Sequence, residues 1–241
     1  MTRIYVSRSA GRQRAVQRWR SAFGELWLSR AGRQDVVERG ETQAAQHQVA
    51  GFRFALLDPA QLVLDERGLA DDERALLASR QLSPSQRERW IRGRAALRWL
   101  APELGSVLEH RDGAPRPVNP AWAVSLSHAG EHVAVVVMPR RDEGTAVAID
   151  LVPMSASAML VQVLAGLRLA VHGELSPPRV WAALECALKL RRSPVDVLLS
   201  GQLRVSANDN GDGAVVHGVG RPAEVRFLDR ARHLLGVACE P

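Results

Sequence analysis

Residues 122–138, WAVSLSHAGEHVAVVVM, decide the fold class. WAVSLSH and HVAVVVM are runs of strand-forming residues, and the three residues AGE join them. Two such runs around a short glycine-containing connection read as an antiparallel hairpin. FRFALL, from Phe52, reads as a further strand, and TAVAIDLV, after the turn RRDEG, as a buried one. Between FRFALL and the hairpin the pattern is helical, first over Asp71–Ala78 and then in SPSQRERWIRGRAALRWLAPEL. In the second stretch Ser83 is a favourable N-cap, Pro84 suits the first helical position and Gln86 completes a capping box. Trp90, Ile91, Leu97 and Leu100 supply its buried stripe. RDGAPRPVNP is a turn-rich loop.

A second set of elements follows Asp150. Ser157 to Val171 reads as an apolar helix, Pro177 and Pro178 punctuate, and a helix spans Arg179 to Leu190. VDVLLSGQLRVSA, GAVVHGV, AEVRFLD and HLLGVAC read as strands, with a turn at Gly211, Asp212 and Gly213. The expected fold is α+β, with helices packed on a small, mostly antiparallel sheet in each half. The expected divisions are residues 1–49 as a basic extension and linker, 50–145 as an N-terminal lobe and 146–241 as a C-terminal lobe.

The chain has 241 residues, 46% of them apolar, enough for one large domain or two lobes with a real core. No apolar run approaches the ~18 residues of a membrane-spanning helix. The two cysteines, Cys186 and Cys239, form no disulfide framework or metal-ligand spacing, so a reducing cytosol is the expected setting. The net charge of +6 is uneven. Residues 1–50 hold nine arginines and four acids, whereas the other 191 residues hold 23 basic and 22 acidic groups. The body lacks the clustered basic excess of a nucleic-acid binder. In the extension Val16, Trp19, Phe23, Leu26 and Trp27 recur at helical spacing among arginines. That segment docks on the body, stays unfolded, or meets a partner or membrane surface; its arginine-rich, acid-poor character also fits a transit peptide.

Five places carry chemistry-bearing residues. Arg87, Arg94 and Arg98 share a helical face, SLSH ends a strand at His128, and AID ends one at Asp150. Glu185 and Lys189 sit at i and i+4 on one face, with Trp181 a turn earlier. Lys189 is the only lysine, against 31 arginines. Each has an ordinary reading: an exposed Glu–Lys pair at that spacing contributes ~0.3–0.5 kcal/mol, an aspartate after a strand is often a turn residue, and helix arginines are usually solvated.

Taken in order, R..WIRGRAALR, SLSH, AIDLV and W..LE..LK resemble the surfactin-type 4'-phosphopantetheinyl transferases, from about Phe52 to Leu199. The resemblance implies two similar α+β lobes forming a pseudo-dimer, a monomer in the cytoplasm, and coenzyme A in the cleft between the lobes. It implies magnesium-dependent transfer of phosphopantetheine from coenzyme A to a serine of an apo acyl- or peptidyl-carrier protein, with no nucleic-acid or membrane partner. By position Asp150 is similar to a magnesium ligand, and Glu185 to a second ligand or the base that activates the carrier serine. Lys189 is similar to a catalytic phosphate contact, Ser127 and His128 to coenzyme A contacts, the histidine at the 3'-phosphate, and Arg94 to an arginine of the phosphate-facing helix.

The residues suit those roles, since pyrophosphate chemistry needs a hard cation on carboxylates and a compact ammonium, which arginine does not replace. The chain departs from the family at Val152, where a second acid is usual, at Leu184, where a lysine is usual, and at Ala114 in the turn before SLSH, with Arg116 nearby. LRRSPVD replaces a glycine-rich turn. These departures support an alternative, a catalytically impaired module that binds a carrier protein or coenzyme A without efficient turnover.

Overall fold

The structure is a computed structural model that describes residues 45–49, 52–58, 60, 62, 66–109, 113–230 and 232–240. The stripe from Val16 to Trp27 and the linker as far as residue 44 lie outside these residues. In chain order the elements are β1 (Ala45–Val49), β2 (Phe52–Leu57), α1 (Asp71–Ala78), α2 (Pro84–Leu100), β3 (Val107–Glu109), β4 (Pro115–Pro117), β5 (Trp122–Ala129), β6 (His132–Pro139) and β7 (Ala146–Pro153). Then come α3 (Ser157–Ala165), β8 (Ala170–His172), α4 (Pro177–Arg191), β9 (Arg204–Ala207), β10 (Gly213–His217), β11 (Ala223–Arg230) and β12 (His233–Glu240). The fold is mixed α/β, with helices packed on small sheets whose strand pairs are antiparallel except for β8 with β9.

Local chemistry sets the elements that the sequence reading anticipates. The Ser83 hydroxyl accepts from the Gln86 amide at 3.3 Å, and the Gln86 side chain accepts from the Ser83 amide at 2.9 Å, so the capping box opens α2 as expected. The 122–138 stretch forms the β5–β6 hairpin. Elsewhere the structure differs. The helix expected to reach Val171 stops at Ala165, where the Gly166 amide turns back to the Val163 carbonyl at 3.1 Å, and Ala170–His172 pairs with β9 instead. In VDVLLSGQLRVSA only Arg204–Ala207 is strand; Val195–Leu199 is a 3-10 turn, and the apolar pattern there reflects burial of Leu198 and Leu203 in the core. Ala45–Val49, within the expected linker, pairs as an edge strand with β2, and the loop RDGAPRPVNP contains β4.

Two sheets dominate, ordered β1-β2-β6-β5 and β7-β12-β11-β10-β9-β8. Three apolar clusters bind them into layers. Ala55, Leu57, Val133, Val135 and Val137 pack against Ala96, Leu97 and Leu100 of α2. Phe54, Ala134 and Val136 meet Ile149, Leu151, Leu235 and Val237, so the opposite face of the first sheet lies on the second. Ala148, Val152, Val205, Val216 and Leu234 pack on the other side against α4. Each fully buried leucine contributes on the order of 1.5–3 kcal/mol relative to exposure.

The close seating of α4 depends on Gly236 in β12. A Cβ there would lie 3.2 Å from Cys186 Sγ, 3.2 Å from Ala182 Cβ and 3.3 Å from the Ala182 carbonyl oxygen. Gly236→Val therefore overpacks the helix–sheet contact and is expected to lower unfolding stability by about 1–3 kcal/mol. Urea unfolding followed by circular dichroism checks this; a midpoint equal to the wild type would mean that α4 has room to move away.

Candidate functional site

The site begins with the small inward face of β5. Alternation turns Ala123, Ser125, Ser127 and Ala129 toward the second sheet, and the other face toward α2. β5 and β7 are the terminal strands of their sheets. Small side chains let them come close, and side chains take up the backbone groups of Ile149 on the open edge of β7. The Ile149 amide donates to Ser125 Oγ at 3.2 Å, and the Ile149 carbonyl accepts from Lys189 Nζ at 2.9 Å. Lys189 Nζ also donates to Asp150 Oδ1 at 2.7 Å, and Ser127 Oγ donates to the same oxygen at 2.8 Å. Asp150 Oδ2 accepts no hydrogen bond among the described residues.

Electrostatics reinforce the group. Asp150 is buried, and Lys189 is mostly so. Burial alone would lower the Lys189 pKa, but the Asp150 and then the Glu185 carboxylates outweigh it and hold the ammonium above its ordinary value. Cys186, in the helical turn between Glu185 and Lys189, is pushed up by burial and then by Asp150, and its thiol donates to the Gly236 carbonyl at 3.2 Å. It is an inert packing group there.

His128 belongs to the opposite face. Its ring lies against α2, where a Cβ on Gly93 would stand 3.4 Å from His128 Nε2. The imidazole is pushed down to about 3, by burial first and then by the positive charges of Arg89, Arg92, Lys189 and Arg94. His128 Nδ1 is buried and has no hydrogen-bond partner among the described residues. The ring is thus a neutral imidazole in a positive field, an environment that favours an anion.

The arginine face of α2 serves a different purpose. Arg87 pairs with Glu66 at 2.7 and 2.6 Å, and Arg98 with the fully buried Glu73. Arg94 donates to the Val107 carbonyl at 2.9 Å, the Leu108 carbonyl at 3.1 Å and Glu109 at 3.2 Å, and stacks on Trp90 at 4.1 Å. Burial lowers its pKa to about 10 despite Glu109 and Glu73. Its guanidinium therefore braces β3 against α2. The cations near His128 that the sequence reading did not single out are Arg89 and Arg92; among the described residues Arg92 pairs with Glu88, and Arg89 has no ion pair or hydrogen bond. The available signal was Gly93 four residues later, a helix-interior glycine that opens a place for a strand side chain beside Arg89 and Arg92.

No model of a known protein family matches the chain, and no curated protein matches it. Among the described residues no helix is long and apolar enough to cross a membrane. No group of three or more His, Cys, Asp or Glu among them is arranged to hold a metal. Asp150 and Glu185 are the two acids whose charges act on Lys189. Val152 and Leu184 are 3% and 1% exposed, and both belong to the apolar cluster under α4.

Two outcomes follow. Leu184→Lys inserts an unpaired charge into this cluster, where an uncompensated buried charge costs on the order of 3–5 kcal/mol; thermal unfolding should show a large loss, and a stable variant would mean that the lysine escapes to solvent. Because the unfolded chain protonates His128 near its ordinary value and the folded chain does so only near 3, stability falls as pH drops below about 6.5, by up to about 1.4 kcal/mol per unit. His233, pushed down to about 4 by burial and then by His132 and Arg232, adds in the same direction. His128→Gln should have a shallower decline between about pH 6.5 and pH 5 in urea unfolding; an unchanged slope would assign the acid sensitivity elsewhere.

Proposed function

We propose that the chain transfers 4'-phosphopantetheine from coenzyme A to a serine of an apo acyl- or peptidyl-carrier protein. The observation that carries this reading is the meeting of Ser127, Asp150 and Lys189 in one hydrogen-bonded group with Glu185 a turn away. Three separated stretches of sequence converge there on groups suited to phosphoryl transfer. In the proposed step the carrier serine Oγ bonds to the phosphorus nearer the pantetheine. The bond between that phosphorus and the bridging anhydride oxygen breaks, and adenosine 3',5'-bisphosphate leaves with the electron pair. Glu185 takes the serine proton. Lys189, with donor capacity beyond its two hydrogen bonds, meets charge developing on the phosphate oxygens. Asp150 and Glu185 would hold magnesium, which when bound supplies charge stabilisation at the pyrophosphate. His128, with Arg89 and Arg92 beside it, supports a place for the 3'-phosphate.

The reading includes a two-lobed pseudo-dimer divided near residue 145, with a monomeric chain working in the cytoplasm. In its support, α2 on β2, β5 and β6 corresponds to α4 on β7, β11 and β12. A glycine permits close approach in each half, Gly93 at α2 and Gly236 beneath α4.

A second reading is a binding module that keeps the coenzyme A or carrier surface without efficient turnover. Burial of Val152 and Leu184 in the apolar cluster favours it, because the two positions lend no charge to the site.

Incubation with magnesium, coenzyme A and a panel of apo carrier proteins separates the two by mass spectrometry. A phosphopantetheine adduct on a carrier is expected, and Glu185→Gln should reduce its rate by about 100-fold or more while leaving circular dichroism unchanged. Coenzyme A binding with no adduct on any carrier would favour the module.

A further inference from the structure

We infer that the Lys189 ammonium is the resident counter-ion of Asp150 in the free protein, and that a divalent cation binds there only by competing with it. The inference rests on the proposed metal role of Asp150 and concerns what the chain does before any ligand arrives. Asp150 is 5% exposed, so its carboxylate needs compensation within the protein. Lys189 supplies it at 2.7 Å and is anchored at the same time to the Ile149 carbonyl at 2.9 Å. Ser127 donates to the same carboxylate oxygen, so the occupied side of Asp150 is Oδ1.

With Val152 in the position next along the same strand face, no second carboxylate on β7 joins Asp150, and Glu185 on α4 is the other acid that acts on the ammonium. A cation approaching Asp150 therefore meets one carboxylate already neutralised. Like charges at contact distance oppose each other strongly in a partly buried site. An incoming diphosphate changes this balance. It offers oxygens to the Lys189 ammonium, which sits on a flexible stem and keeps a compact charge. As Lys189 turns to the anion, Asp150 is freed for the cation. Cation and diphosphate then bind with positive coupling, each strengthening the other through Lys189.

The test uses the full chain without coenzyme A or carrier. Manganese binding, read by the loss of free-ion paramagnetic resonance, should be weak in the wild type and at least about tenfold tighter in Lys189→Gln. Lys189→Arg, which retains the positive charge, should stay weak. Asp150→Asn in the Lys189→Gln background should abolish the gain, which ties it to this carboxylate. Because Lys189 is the only lysine, carbon-13 labelling of lysine gives a single side-chain signal. Inorganic diphosphate should shift that signal in the wild type, a measurement independent of whether the variants fold. Equal manganese affinity in the wild type and Lys189→Gln, or a lysine signal that diphosphate leaves unmoved, would overturn the inference. These outcomes are independent of transfer: a chain that modifies carriers yet shows no competition removes only the counter-ion role. A chain that shows competition and modifies no carrier removes only the transferase reading.

Discussion

The open edge of β7 is the constraint on which the rest depends. A terminal strand exposes amide and carbonyl groups that must find partners. At Ile149 those partners are side chains, Ser125 Oγ for the amide and Lys189 Nζ for the carbonyl. Both come from elements outside the sheet that contains β7, one from β5 and one from α4. The same contacts therefore dock the two sheets, seat α4 and deliver an ammonium to Asp150. Packing and chemistry are not separable there. The small face of β5 permits the approach of β7, Gly236 permits the approach of α4, and Lys189 is long enough to reach the strand once both are in place.

Charge is divided by the same geometry. Three arginines of α2 are held by Glu66, Glu109 and Glu73, and Glu73 also accepts from the Val107 amide at 2.7 Å and the Ala70 amide at 3.0 Å. These pairs join α1, β3 and the turn before α1 to the side of α2. Arg92 is partly satisfied by Glu88 and the Glu131 carbonyl, with its Nε left without a partner among the described residues. The positive field at His128 thus comes from Arg89, from Arg92 in spite of its pair with Glu88, and from Lys189 on the other side of β5 and Arg94. Around Asp150 the carboxylate is answered within the cluster itself, by the Lys189 ammonium.

The elements legible in the sequence are those whose signals are local. The hairpin at 122–138, the capping box at Ser83 and the short helix from Asp71 to Ala78 follow from neighbouring residues, and they appear where the pattern puts them. The pattern failed where burial came from elsewhere in the chain. Leu198 and Leu203 are apolar because α4 and the sheet enclose them, although neither lies in a strand. Ala170–His172 is exposed, so only its pairing with β9 makes it a strand. Ala45–Val49 is strand through its register with β2 and carries no strong signal of its own.

By itself the sequence determined the type and order of most elements, and it singled out Asp150, Glu185 and the lone Lys189, because periodicity, capping and composition act over a few residues. Only the tertiary structure decided which of those residues meet. Ser127 and His128 are neighbours in the chain, yet one reaches Asp150 and the other faces Gly93, because alternate strand residues point to opposite sides and only the packed fold sets what lies on each. Arg94 became a brace to β3, Arg89 was left beside His128, and Val152 and Leu184 entered the core for the same reason. Side-chain partners depend on contacts between segments far apart in the chain, and spacing along the sequence carries no record of those distances.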